Sequence, residues 1–167
     1  MKRVDIVPSH LRSLVGQNYE ICRFRELSLP FRLAIAHYMA IDGEAWEVKV
    51  EACGIGSPSK LVAALKRALP GLSRTHAGVL FGRAMLKASV LKRALLASES
   101  SLAEGIRTWP DYLTRLSHAG VEHPRTNRWP VILSGFEDEV LQDGWHRMGC
   151  YLQRGDRLIP AVFYPHP

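Results

Sequence analysis

The chain has 167 residues, 47% of them hydrophobic and 23% charged, with 22 Lys and Arg against 16 Asp and Glu for a formal net charge of +6. That length suits one sizeable core, and that composition excludes a disordered or low-complexity chain. No apolar run approaches the length of a membrane span, and the basic start MKRVDIVPSH has no apolar stretch behind it, so neither a membrane helix nor a secretory signal is expected. Cys22, Cys53 and Cys150 form no CxxC pair and no framework, and read as reduced, buried thiols of a cytoplasmic protein.

Along the chain, Arg3–Val7 and Glu20–Leu27 read as β-type segments, the second by alternation. Leu29-Pro30 opens a buried helix over Phe31–Ala40, and Asp42-Gly43 is a turn signal. Ala45–Ala52 alternates Trp46, Val48 and Val50 against Glu47, Lys49 and Glu51, which predicts a half-buried strand. After the loop Gly54–Ser57, Ser57-Pro58 caps a helix carrying Leu61, Val62, Leu65 and Leu69 on one face, with Pro70-Gly71 as its stop. Thr75–Leu96 reads as a second helix, and Ser101-Leu102-Ala103-Glu104 as the capping box of a short third one. Pro110–His118 is another helix, and Val131–Leu133 is a strand. No repeat or linker divides the chain. The expectation is a single α/β domain over residues 1–167, with a helical insertion at about 57–98.

Charge is spread unevenly. Between Ala52 and Ser98 there is no Asp or Glu, yet the stretch holds eight basic residues, leaving 14 Lys and Arg against 16 acids elsewhere. Such a block points to an anionic partner, against the plainer reading of solvated helix faces. Lys60, Lys66, Arg67, Arg83, Lys87, Lys92 and Arg93 are the candidate DNA-contacting residues. With Phe81 the only aromatic there, contact would be to phosphate with little sequence preference.

The C-terminal stretch Val131–Tyr164 reads strand, acidic turn (Glu137–Glu139), short strand, Gly turn, helix to about Arg154, Gly stop, strand. Chemistry is expected where Asp143-Gly144-Trp145-His146-Arg147 enters the helix. A helix N-terminus presents unpaired N–H groups and partial positive charge. Gly144 permits close backbone approach, and His146 and Arg147 add donors suited to phosphate. Asp143 and Glu139 are candidate carboxylates for Mg²⁺. Helix capping by Asp143 and a solvated turn at Glu137–Glu139 are the competing readings.

This stretch resembles the ParB/sulfiredoxin superfamily, on Gly144, His146, Arg147, Gly155, Ile159 and Pro160, with Gly120, Pro130 and Val131–Leu133 in the matching lead-in positions. The resemblance covers Asp111–Tyr164, about a third of the chain. It implies a ParB/sulfiredoxin-like mixed sheet with flanking helices, here with an additional basic helical segment, and nucleotide phosphate, ATP for instance, at Gly144, His146 and Arg147. Trp145 stands where sulfiredoxins carry their reactive cysteine, which argues against sulfinic acid repair. Taken whole, the chain is similar to plasmid-encoded fertility-inhibition proteins that suppress conjugative or T-DNA export through type IV secretion systems. That similarity implies ATPase and DNase activity, with Asp143, His146, Arg147 and Glu139 as catalytic candidates, and a contact with a secretion component. The alternative is a non-enzymatic ParB-like DNA-binding or adaptor module, in which the motif is only a scaffold turn.

His37 and Tyr38, in an apolar helix, read as core residues, and Gly54-Ile55-Gly56-Ser57 lacks the Lys of a phosphate-binding P-loop.

Overall fold

A computed structural model describes residues 6–42, 58–118 and 128–166. A 3₁₀ turn (Ser9–Leu11) runs into α1 (Arg12–Val15), followed by β1 (Tyr19–Arg23), a second 3₁₀ turn (Phe24–Glu26) and α2 (Leu29–Asp42). Then come α3 (Pro58–Thr75), β2 (Leu80–Lys87), α4 (Ala88–Ala97), α5 (Glu99–Ala103) and α6 (Trp109–His118). The chain continues through β3 (Val131–Leu133), β4 (Leu141–Asp143), α7 (Trp145–Gln153) and β5 (Leu158–Phe163). The strands form one mixed sheet in the order β1-β2-β5-β3-β4. Among the described strands only the β3–β5 pair is parallel.

Alternation along the strands assigns the two faces of the sheet. Ala84 and Leu86 of β2, with Ile159, Ala161 and Phe163 of β5, join Leu14, Leu91, Leu95, Tyr112, Met148 and Tyr151 in one core, so α1, α4, α6 and α7 cover that face. Phe81 of β2 and Val162 of β5 join Leu33, Ile35, Leu65, Leu69 and Leu72 in the other, under α2 and α3. The result is a three-layer α/β/α arrangement. Among the described residues no helix is long and apolar enough to cross a membrane.

The expected α/β class is what the fold shows. The C-terminal elements fall close to their expected bounds, and Gly155 ends α7 at φ +75°. Phe31–Ala40 lies within α2, and Pro110–His118 within α6.

Other expectations are corrected. Thr75–Leu96 is not one helix: its middle, Leu80–Lys87, is strand β2, held between β1 and β5. The expected strand over Glu20–Leu27 stops at Arg23, and Ile6 and Val7 lie outside any strand. α3 does not stop at Pro70-Gly71 but continues to Thr75. Pro70 is exposed, and Leu69 and Leu72 on either side of it are buried. That packing offsets the one backbone bond that proline removes. The helix after α4 starts at Glu99, capped by the Ser98 hydroxyl accepting from the Ser101 N–H, rather than at Ser101. Cys22 and Cys150 are part-exposed, not buried. Ala45–Ala52, Gly54–Ser57, Gly43, Cys53 and Gly120 lie outside the described residues.

Candidate functional site

β3 and β4 form a short hairpin whose return strand leads straight into α7. Ile132 is opposite Asp143, and Leu133 is opposite Leu141. Gly144 bridges β4 and α7 with φ +97° and ψ 22°, and its carbonyl accepts the Met148 N–H at 2.8 Å. A side chain there is doubly disfavoured. The left-handed backbone suits glycine, and a Cβ would lie 3.1 Å from the Val131 Cα and Cγ1 and 3.0 Å from Arg147 Nη2. The first N–H groups of α7 have no intrahelical acceptor, and no side chain caps them. Asp143 is therefore not the cap.

Its carboxylate turns instead to Arg147. Arg147 Nη2 donates to Asp143 Oδ2 at 3.0 Å, and the arginine side chain is only 2% exposed against 20% for the aspartate. Arg147 Nε is buried and makes no hydrogen bond among the described residues. The buried face of α7 carries Arg147, Met148 and Tyr151, so the guanidinium lies inside the fold beneath the Gly turn. His146, one residue earlier, is half-buried and reaches a cavity.

That cavity, of about 210 Å³, lies between α5, α6 and the start of α7, and its walls include Ser100, Ser101, Tyr112, Arg115, Trp145 and His146. Tyr112 is 3% exposed, and its hydroxyl has no hydrogen-bond partner among the described residues. Burial pushes its ionisation far above the ordinary phenol range. Tyr112 stacks on Trp109, centroids 5.0 Å apart, and Lys92 Nζ lies 5.1 Å from the Trp109 ring centre. Arg115 pairs with Glu104 at 3.2 Å. The pocket thus joins the start of α7, an imidazole, a guanidinium and the Tyr112 side chain within a largely apolar wall. Tyr112 and Arg115 were missed in the sequence. Their only signal was the amphipathic pattern of α6, which marks them as helix residues but not as cavity walls.

The acidic turn stands apart from Asp143. Glu137–Glu139 lies at the far end of the hairpin, where the Ser134 N–H bonds the Val140 carbonyl at 2.9 Å and the Ser134 hydroxyl donates to Glu139 at 3.5 Å and Gln142 at 3.4 Å. Asp143 engages Arg147 at the other end. The two candidate metal ligands, Asp143 and Glu139, therefore meet different partners. Among the described residues no group of three His, Cys, Asp or Glu gathers as a metal-ligand set. Asp143 is engaged by Arg147, and Glu139 by Ser134.

The basic residues also divide. Lys60, Lys66 and Arg67 are exposed on α3, over one face of the sheet, whereas Lys92 and Arg93 are on α4, over the other. Arg83 lies on β2, where its Nε donates to Glu20 at 2.8 Å, and Lys87 ends that strand. The expected continuous surface of basic helices does not form, because strand β2 passes between them.

No family model matches the sequence, and neither a curated protein nor a solved structure matches it.

Proposed function

We propose that the chain is a nucleotide-binding protein that acts on DNA, with the nucleotide's phosphates at the first turn of α7 and its remainder in the adjoining cavity. The observation that carries this reading is the cavity that receives His146 from the uncapped helix start and is walled by Tyr112, whose buried hydroxyl has no partner among the described residues. An unsatisfied buried hydroxyl costs free energy that a polar ligand would recover. The helix terminus supplies unpaired N–H groups to an anion. ATP is the nucleotide to test first, with any Mg²⁺ carried on its phosphates. ATPase and DNase activity, and suppression of conjugative or T-DNA transfer through a type IV secretion system, rest on the resemblance at Gly144, His146, Arg147, Gly155, Ile159 and Pro160. In this reading His146 is the outward donor, and Arg147 positions the turn through Asp143.

A second reading has a specific observation in its favour. Arg147 is sequestered by Asp143, and Gly144 packs against Val131, as expected of a scaffold turn in a DNA-binding or adaptor module without nucleotide chemistry. Calorimetric titration with ATP and CTP separates the two. The nucleotide reading expects binding that weakens about fivefold or more in His146→Ala, corresponding to one lost hydrogen bond of about 1 kcal/mol. No binding by the wild-type protein, or equal affinity in folded His146→Ala and Tyr112→Phe variants, would establish the scaffold reading.

A further inference from the structure

The division of the basic helices between two faces of the sheet leaves open which surface meets an anionic partner. One cluster of cations is assembled by the fold from distant parts of the sequence and lies outside the acid-free block apart from Lys87. Tyr151 of α7 is 3% exposed and donates its hydroxyl to the Trp129 carbonyl at 3.1 Å. Two guanidiniums lie over its ring, Arg128 at 5.8 Å and Arg154 at 5.2 Å from the centroid. Asp156 links them, at 3.0 Å from Arg128 and 3.3 Å from Arg154. The backbone then carries the exposed Arg157 alongside, since its carbonyl accepts the Ala88 N–H at 2.9 Å, and Leu158 pairs with exposed Lys87 in the sheet. Arg128 and Arg154 share the Asp156 carboxylate, and Lys87 and Arg157 lie at the adjoining end of the β2–β5 pair.

We infer that this cluster, Lys87, Arg128, Arg154 and Arg157, is a surface for the phosphodiester backbone of double-stranded DNA. The inference rests on the DNA-acting reading above and names the surface that such a protein would use. The aromatic ring and the carboxylate hold two planar guanidiniums in place before any partner arrives. This lowers the side-chain entropy lost on contact, and the planar fork of arginine matches phosphate oxygens bidentately. Arg128 keeps a 59% exposed side chain, so its outer N–H groups remain accessible. The one aromatic in the cluster is buried beneath the cations, so it offers no platform for unstacked bases, which favours duplex backbone over single strands. Contacts of this kind read charge and spacing rather than base sequence.

The test is fluorescence anisotropy with a labelled mixed-sequence DNA duplex across a salt series, using the full chain. Each phosphate contact contributes a slope near −0.9 in log affinity against log salt, so at about 0.1 M salt each contact is worth roughly tenfold in affinity. Lys87→Glu/Arg157→Glu, which leaves the Tyr151 packing intact, should weaken binding at least ~100-fold and flatten the salt slope by about 2. Arg128→Lys, which keeps the charge but loses the planar fork, should weaken binding less than Arg128→Glu, which reverses the charge. Wild-type binding that is unchanged in the folded charge-reversal variants would overturn this surface while leaving the DNA-acting reading intact. Absence of duplex binding by the wild-type chain would overturn both. Binding to anionic phospholipid vesicles that is lost in the variants, with DNA affinity unaltered, would reassign the cluster to a membrane surface.

Discussion

Replacing Gly144 by alanine places a methyl group where the chain turns from β4 into α7. A residue other than glycine pays about 1–2 kcal/mol for a left-handed backbone, and φ +97° lies beyond the centre of that region. The added Cβ would also lie 3.1 Å from the Val131 Cα, a backbone atom of buried strand β3 that has little room to yield. Overpacking of this kind costs about 1–3 kcal/mol. Together the two effects predict a loss of about 2–5 kcal/mol. With a urea dependence of about 2 kcal/mol per molar for a chain of this size, the unfolding midpoint should fall by about 1–2.5 M. Equilibrium urea unfolding followed by tryptophan fluorescence measures it. Gly135→Ala is the control, because nothing lies within 4 Å of its added methyl and its φ is not positive, so its midpoint should barely move. A Gly144→Ala midpoint within about 0.3 M of wild type would refute the proposed strain.

Arg147→Ala leaves the Asp143 carboxylate without its partner in a mostly buried site and should cost about 3–5 kcal/mol, read as a lowered thermal midpoint; an unchanged midpoint would mean the pair is dispensable. Tyr112→Phe removes a buried hydroxyl that has no partner and should be neutral or stabilising by up to ~1 kcal/mol in the free protein, yet weaken ATP binding in the same titration that tests His146. Gly82→Ala would drive a methyl into the ring of buried Phe163 on the neighbouring strand, with an expected cost of about 1–3 kcal/mol and no change in nucleotide affinity per folded molecule. Burial raises the Tyr151 phenol to about 12. The folded state then holds its proton where the unfolded chain releases it, so stability should fall as pH rises from about 10 towards 12. Urea midpoints measured across that range should show a weaker pH dependence in Tyr151→Phe.

The β4–α7–β5 segment was legible because its signals are local. Gly144 and Gly155 both take positive φ, and the apolar run after Pro130 gives strand β3. Strand β2 was hidden because LFGRAMLK is built from good helix formers, and its strand state comes from neighbours far away in sequence: Glu20 opposite Arg83 and Ala161 opposite Ala84. Gly82 inside the proposed helix was the available warning. The inward turn of Arg147 follows from the helix period. It lies one turn before Tyr151 and next to Met148, both buried, and so shares their face. Expecting it at the surface gave the charge more weight than the periodicity. Tyr112 and Arg115 became site residues only because α6 packs beside α7, a pairing with no local signature in the sequence.

The central position of β5 has a consequence for the order in which this molecule can assemble. β5 is the last of the described elements in sequence, yet it lies between β2 and β3 and pairs with both. Until it has been made, β2 lacks one neighbour, β3 and β4 form an isolated hairpin, and both apolar faces lack the strand that joins their halves. During synthesis the earlier segments would therefore wait with Leu86, Phe81 and Ile132 incompletely covered until Leu158–Phe163 has emerged to pair with them. The pairs that close it span long separations in sequence, from Gly82 to Phe163 and from Tyr19 to Ala84. Such non-local pairing must overcome loop-closure entropy before it is rewarded. A nascent chain held before Leu158 should accordingly stay protease-sensitive and engage holding chaperones.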